Sequence, residues 1–150
     1  MEIRGMAAVL LLLPTLTLAQ SSTNRCREVV VAQGALPGLT NRAGATFNIR
    51  AVSREAGSFS GKVAYFDRAA GVRFNSTNLT EYVVMDEVSR HLTFQTRDSN
   101  GAPVNATFVL CDLGRGTNDL LAAFINNQYE RTSHLRRGKV TIRRQGCGTD

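Results

Sequence analysis

The chain has 150 residues, of which 43% are hydrophobic and 20% are charged. A chain of this length forms one domain with a core of its own, and the composition is that of a globular protein, which excludes a disordered or fibrous chain. The 18 Lys and Arg residues outnumber the 12 Asp and Glu residues, giving a net charge of +6. An excess of this sign directs attention to anionic partners.

Residues 1–20 have the pattern of a secretory signal peptide. A basic residue precedes an apolar run of Ala, Val and Leu, and the residues up to Ala19 match a signal-peptidase site. We expect cleavage after Ala19 or Gln20, leaving a secreted domain at 21–150; the alternative is an uncleaved anchor. The apolar run is short and interrupted by Pro14, and no second run follows, so we expect no membrane span in the mature chain.

Short strands with turn signals between them recur about every eight to twelve residues through the mature chain. Most of them alternate apolar with polar residues, so that Phe47, Ile49 and Ala51, for example, would face the core. This spacing predicts an all-β fold, a single antiparallel β-sandwich of jelly-roll or immunoglobulin-like type with about eight to nine short strands. The predicted strands lie at 28–31, 46–51, 62–67, 72–75, 81–86, 91–97, 107–111, 120–125 and 139–143.

The segment 120–125 is compatible with two structures. Its Leu and Ala residues favour a helix, which Asn118 or Asp119 would cap. The same apolar run would also form a buried strand that ends at Asn126 and Asn127, and a short run does not distinguish the two by periodicity. The surrounding hairpins favour the strand, with the helix as the alternative.

The stretch 100–119 is the centre of the predicted fold and consists of a turn, a strand and a second turn. Asn100 and Gly101 predict a type I′ turn, because both central positions of that turn need a positive φ. The β-branched and aromatic residues at 107–111 predict a central strand that is covered on both faces. The loop 112–119 follows with two acidic residues and two glycines.

Secretion gives the three cysteines an oxidising context. Cys26 and Cys147 each flank a predicted terminal strand, so a disulfide between them would join the two ends of the domain. Cys111 then lies inside the central strand, where a buried free thiol is expected. Pairing of Cys111 with one of the other two cysteines is the alternative.

Three N-glycosylation sequons begin at Asn75, Asn78 and Asn105. Asn75 falls on the outward phase of its strand, and we expect Asn105 in the loop before the central strand. Both would be accessible if the source secretes through an endoplasmic reticulum. In a bacterial source the same residues would be ordinary Asn and Thr residues in turns.

The loop 112–119 is also the candidate metal site. Asp112, Asn118 and Asp119 supply hard oxygen ligands, and the glycines between them let backbone carbonyls join, which suits Ca²⁺. The loop lacks the acidic residue at the twelfth position of an EF-hand. Hairpin loops are also rich in Asp, Asn and Gly for conformational reasons alone, which is the alternative interpretation.

The sequence carries no recognisable catalytic signature. His91 and His134 occur without zinc-ligand spacing, and there is neither a nucleophile elbow nor a phosphate-binding glycine motif. Glu81 together with Asp86 or Glu87 could form a pair of carboxylates of the kind used in glycoside hydrolysis. Tyr82 is the only aromatic residue near them in the sequence that a sugar could stack on. We therefore expect the protein not to be an enzyme.

Basic residues are concentrated near the C-terminus. They lie in or beside the last predicted strand, where they would meet phosphate, sulfated sugar or an anionic surface; they are Arg136, Arg137, Lys139, Arg143 and Arg144. The alternative is a solvated face of a terminal hairpin.

Several short motifs together resemble a known pattern: GKVAY at 61–65, GVRFNST at 71–77, NG at 100–101, ATF at 106–108, DLG at 112–114, GTND at 116–119 and GKVTI at 138–142. The pattern is similar to that of an uncharacterised all-β domain family of secreted bacterial proteins. This chain departs from the family at Cys111, in a shorter turn at Arg115, and in the additional Cys26 and Cys147. The resemblance implies an all-β fold with a strand after Asp119, and it transfers no catalytic residue, because the family has no established activity.

These features predict a small secreted β-sandwich with a structural or binding role at or outside the cell surface. One alternative is a calcium-dependent carbohydrate-binding module that uses the loop 112–119. Another is a binder of anionic polymers through the basic C-terminal residues. Glycans or anionic surface polymers are the expected partners, and nucleic acid is not expected.

Overall fold

The computed structural model describes residues 26–38, 44–114 and 118–147, and these form ten β-strands. The predicted signal peptide lies outside the described residues, which contain no helix long and apolar enough to cross a membrane. The strands are β1 (Arg27–Ala35), β2 (Ala45–Arg54), β3 (Phe59–Asp67), β4 (Val72–Ser76), β5 (Asn78–Val84), β6 (Ser89–Arg97), β7 (Pro103–Cys111), β8 (Leu120–Ile125), β9 (Tyr129–His134) and β10 (Arg137–Gln145).

The strands form two antiparallel five-stranded sheets that pack face to face. The first sheet has the order β10-β1-β2-β3-β4, and the second has the order β5-β6-β7-β8-β9. Within each sheet, strands that are consecutive in the chain pair with each other, and the chain passes between the sheets from β4 to β5 and from β9 to β10. Among the described strands, only the β1–β10 pair joins strands that are distant in sequence. The predicted all-β antiparallel sandwich is confirmed. It has ten strands rather than eight or nine, and its sequential order differs from the interleaved orders of jelly-roll and immunoglobulin sandwiches.

The segment 120–125 is a strand, β8, as the hairpin context favoured. It is followed by β9, a strand that the sequence did not reveal because its inward residues, Tyr129, Arg131 and Ser133, are mostly polar. A type I′ turn joins the two strands, since Asn126 and Asn127 have φ values of 50° and 55°.

The type I′ turn predicted at Asn100-Gly101 is wrong. Gly101 has a positive φ of 80°, but Asn100 is not among the described residues with positive φ. The Asp98 carboxylate accepts hydrogen bonds from the backbone N–H groups of Asn100, at 2.8 Å, and Ala102, at 2.9 Å. This local acceptor stabilises a longer connection between β6 and β7 than a two-residue turn would give.

The core lies between the sheets and is centred on Phe108 of β7, the middle strand of the second sheet. The Phe108 ring packs against Tyr65 and Phe74 of the first sheet, with ring centroids 5.7 Å and 6.2 Å away. Among the described residues, β7 is packed against a sheet only on this inner face, which contradicts the prediction that it is covered on both faces. Its outward residues, Thr107 and Val109 among them, are half-buried between side chains of neighbouring strands.

The predicted disulfide is confirmed: Cys26 is bonded to Cys147, with the two Cα atoms 4.2 Å apart. The bond follows from the pairing of β1 with β10, which places Arg27 opposite Gln145. Cys111 is a free thiol, half-buried rather than buried, and it lies 3.3 Å from the Ser89 hydroxyl. The disulfide is consistent with an extracellular location.

Replacing Cys26 and Cys147 together by Ser should lower the free energy of unfolding by about 4–5 kcal/mol, because the bond spans 121 residues and restricts the unfolded chain. Urea denaturation without reductant measures the difference between the variant and the native protein. Cys111→Ser is the control and should change the midpoint little. Equal stability of the double variant and the native protein would contradict the prediction.

Candidate functional site

The first charged cluster crosses the interior from Glu28 of β1 to Arg90 of β6. Arg90 donates from Nε to Oε1 of Glu28, at 2.5 Å, and from Nη2 to Oε2, at 2.6 Å. Its remaining nitrogen, Nη1, donates to the backbone carbonyls of Asp86 and Ser89. The Tyr82 hydroxyl donates a further hydrogen bond to Glu28. The buried guanidinium is therefore paired with a carboxylate in the fork-to-fork geometry that arginine favours.

The pairing with Arg90 lowers the pKa of Glu28. Hydrogen bonds from Arg90 are the largest influence and, with those from Tyr82 and Arg144, lower the pKa from 4.5 to about 2 against the opposing effect of burial. The carboxylate is thus ionised over the whole neutral and mildly acidic range.

The second charged cluster joins Asp67 of β3 to Arg131 of β9. Arg131 Nη1 donates to Oδ2 of Asp67 at 2.6 Å, and Nη2 donates to the carbonyl of Pro37. The Tyr129 hydroxyl also donates to Oδ2, at 2.7 Å, and lies 2.5 Å from the hydroxyl of Tyr65.

Both Asp67 oxygens are occupied, because Oδ1 accepts from the backbone N–H groups of Ala69 and Ala70. Burial opposes ionisation of Asp67, but the hydrogen bonds from Tyr129 and Ala70 and the charge of Arg131 outweigh it and hold the pKa below its usual value. Burial also raises the pKa of Tyr65 to about 12. These groups are neither free nor poised to exchange a proton near neutral pH.

In both clusters, an arginine of the second sheet binds a carboxylate of the first sheet. Glu28 of β1 is opposite Ser53, near the end of β2, and Asp67 of β3 is opposite Ala45, the first residue of β2. The two clusters are therefore at opposite ends of the sandwich. Every buried side-chain polar atom of the described residues has a hydrogen-bond partner. We therefore interpret the clusters as structural. Sequence reasoning missed them, because their partners are 62 and 64 residues apart in the chain.

The residues of the candidate calcium loop act as acceptors for backbone groups. Asp119 is fully buried; its Oδ1 accepts from the N–H of Leu113, at 2.9 Å, and its Oδ2 from the N–H of Val140, at 2.7 Å. Asp112 accepts from the N–H of Ile142 at 3.2 Å. Asn118 is exposed, and residues 115–117 lie outside the described part of the loop.

Across the described ranges, no three His, Cys, Asp or Glu residues are grouped so as to hold a metal ion. One Asp119 bond, to Leu113, closes the loop on itself, and the other, to Val140, joins the loop to β10. A metal at these carboxylates would compete with these bonds for the same oxygens. Calcium binding here remains a prediction, to which this geometry offers a structural alternative.

The outer surface of the first sheet carries a set of exposed basic side chains, which we call the basic face. Its members come from all five strands and alternate with buried core residues; they are Arg27, Arg50, Arg54, Lys62, Arg73, Lys139 and Arg143. The five strands contain only two acidic residues, Glu28 and Asp67, and both point inward to the arginines described above. Among the described residues, no member of the basic face forms a salt bridge.

Two pairs of these cations lie directly opposite each other on neighbouring strands. The register places Arg27 opposite Arg54 and Arg50 opposite Lys62. Like charges in this arrangement destabilise a sheet. Cations without acidic partners give this surface a positive electrostatic potential.

The residues predicted to bind anions divide into three groups. Lys139 and Arg143 belong to the basic face, whereas Arg136 is exposed between β9 and β10, and Arg137 is exposed at the first position of β10, opposite Ala35. Arg144 has the opposite phase on β10 and lies 3.5 Å from Glu28, although 68% of its side chain is exposed. The other five members of the basic face are distributed along the chain from Arg27 to Arg73, so they form no cluster in the sequence from which the face could be predicted.

The acids considered for hydrolysis lie on different elements, β5 and the turn that follows it. Glu81 is exposed on β5 and accepts a hydrogen bond from Thr93. Asp86 and Glu87 lie in the turn after β5, where Asp86 accepts from the N–H of Val88. His91 is 3.6 Å from Glu81, on the outer face of the second sheet.

The three sequon asparagines are exposed and lie on different sheets. Asn75 is on the outer surface of β4 within the basic face, whereas Asn78 and Asn105 flank Gln95 on the second sheet. Asn105 lies inside β7, so its predicted position in a loop is wrong. Glycosylation at these residues remains a prediction.

Comparison with protein-family models, with curated proteins and with solved structures found no match to this chain. The resemblance to a secreted bacterial domain family therefore remains a prediction, and function has to be argued from the site itself.

Glu28→Gln should lower the free energy of unfolding at pH 7 by about 3 kcal/mol, because it leaves the Arg90 charge buried without its partner. The folded-state pKa of Glu28, about 2, is below the ordinary value of 4.5, so this stabilisation is complete above pH 4.5 and is lost as the pH falls towards 2. Urea denaturation at several pH values should show the native and variant curves converging in acid. Glu130→Gln, at an exposed position, is the control, and a difference that does not depend on pH would contradict the prediction.

Asp119→Asn should lower the free energy of unfolding by about 1–3 kcal/mol, because an amide cannot accept both backbone hydrogen bonds. The loss should be the same in calcium and in chelator. Thermal melts of both proteins test this, since calcium at a hundred times its Kd would stabilise the native protein by about 2.7 kcal/mol. A calcium-dependent rise that disappears in the variant would establish the metal site instead.

Proposed function

We propose that this protein is a secreted, non-enzymatic binding module that holds an acidic polysaccharide on its basic face. The observation that carries the proposal is the separation of charge in the first sheet: seven exposed cations outside, and both acids of its strands inside. Unpaired cations on one surface raise the local concentration of anions and accelerate their binding.

The side chains between the cations favour a polysaccharide as the polyanion. Gln33, Asn48 and Asn75 lie in one row across β1, β2 and β4, separated only by Ala64 of β3. Amides both donate and accept hydrogen bonds, which matches the many hydroxyls of a sugar chain. The disulfide and the predicted signal peptide support a location where surface polysaccharides occur.

The proposal assigns no catalytic residue. The buried carboxylates already have strong donors, and the exposed acids, Glu81 and Asp86, lie on other parts of the molecule. Binding is therefore attributed to charge and to hydrogen bonding alone.

Arg50→Gln with Arg54→Gln should weaken binding to polygalacturonate and reduce its dependence on salt. Each cation that pairs with a polyanion adds about 0.7–0.9 to the slope of log K against log salt, so the double variant should lower that slope by about 1.5. The substitution also removes one member of each opposed pair, so thermal stability should be equal or higher. Titrations at several salt concentrations, together with melts, measure both effects.

Arg68→Gln with Arg97→Gln is the matched control, because it removes two exposed cations outside the basic face. It should keep the native affinity and slope, and neutral dextran should not bind. If both double variants weaken binding equally, net charge alone is responsible and the basic face is not a site. Tighter binding to vesicles of anionic lipid or to duplex DNA than to polygalacturonate would replace the polysaccharide with another class of partner.

A further inference from the structure

A depression in the basic face lies over Ala64, the smallest outward side chain in its row. The register places Asn48 and Asn75 directly opposite Ala64, one on each neighbouring strand. Two adjoining hollows of about 600 and 420 Å³ meet here and share these three residues. Their volumes are within the range of small-ligand sites.

Cations stand at both ends of this depression. Lys62 lines the first hollow, and Arg73 lines the second together with Phe66. The Arg73 guanidinium carbon lies 5.0 Å from the centre of the Phe66 ring, which is a cation–π contact. Phe66 therefore holds the Arg73 guanidinium at the rim, although no carboxylate among the described residues pairs with it.

We propose that this depression is a subsite for one hexuronate unit, a sugar that carries a carboxylate on its ring. The sugar ring lies over Ala64, and its hydroxyls bond to the amides of Asn48 and Asn75. Its carboxylate pairs with Arg73, whose planar guanidinium suits bidentate recognition, and Lys62 pairs with the carboxylate of the next unit. This inference rests on the proposed function and adds the class of sugar and its position.

The subsite requires that Asn75 and Asn78, two sequon asparagines that line the first hollow, carry no glycan. The Asn75 amide is a wall of the depression and the acceptor of a sequon at once, so a glycan on it would fill the space meant for the ligand. The experiment therefore uses protein secreted to the periplasm of a bacterial host that adds no N-linked glycans.

Ala64→Phe fills the depression without changing any charge. It should weaken binding of tetragalacturonate about tenfold or more, a loss of about 1.4 kcal/mol, and leave the slope of log K against log salt unchanged. Ser60→Phe is the matched control, since Ser60 is exposed on the same strand and face, about 13 Å away. The Ser60→Phe variant should keep the native affinity within about twofold, which corresponds to a change of less than about 0.5 kcal/mol in binding free energy.

Calorimetric titration measures these affinities, and thermal melts verify that each variant is folded. Arg73→Lys keeps the charge but loses the planar fork, so it should also weaken tetragalacturonate binding at an unchanged salt slope. Native affinity in Ala64→Phe, or equal losses in Ala64→Phe and Ser60→Phe, would overturn the subsite while leaving the binding face intact. Failure of the native protein to bind polygalacturonate at all would overturn the proposed function instead.

Discussion

The structure depends on two ion pairs that cross its interior, Glu28 with Arg90 and Asp67 with Arg131. A buried charge costs several kcal/mol unless it is paired and hydrogen-bonded, so each pair restricts how the two sheets can be placed. The pairs lie at opposite ends of the sandwich, with the aromatic core around Phe108 between them. Because an unpaired buried charge is costly, the two pairs favour the alignment of the sheets in which each carboxylate meets its arginine.

The same pairs determine the charge of the surface. The strands of the first sheet have only Glu28 and Asp67 as acids, and the second sheet supplies the arginines that neutralise them. No acid of these strands is left to pair with the outward cations, and two pairs of cations face each other across neighbouring strands. The interior pairs therefore leave the outward cations of the first sheet without acidic partners from their own strands.

Local sequence patterns were sufficient for the fold class and for the disulfide. Nine of the ten strands were located from the sequence: most by alternation of apolar and polar residues, because one face of the strand is buried and the other is exposed. The apolar run of β8 does not alternate and was assigned from the hairpins around it. Cys26 and Cys147 could be paired because they flank the two ends of the domain. The type I′ turn at Asn100-Gly101 was wrong, because the Asp98 carboxylate stabilises a different turn.

By itself, then, the sequence determined an all-β domain with joined ends and an excess of positive charge. Only the tertiary structure decided where that charge lies, because the basic face is assembled from strands that are far apart in the sequence, such as β1 with Arg27 and β10 with Arg143. The tertiary structure also pairs Arg131 with Asp67 inside the protein. A strand with an arginine at an inward position does not show the apolar alternation of a strand, so β9 could not be recognised from the sequence. The physical reason is the same in each case: ion pairs and surface clusters depend on which strands become neighbours, and this is fixed by long-range packing rather than by local propensity.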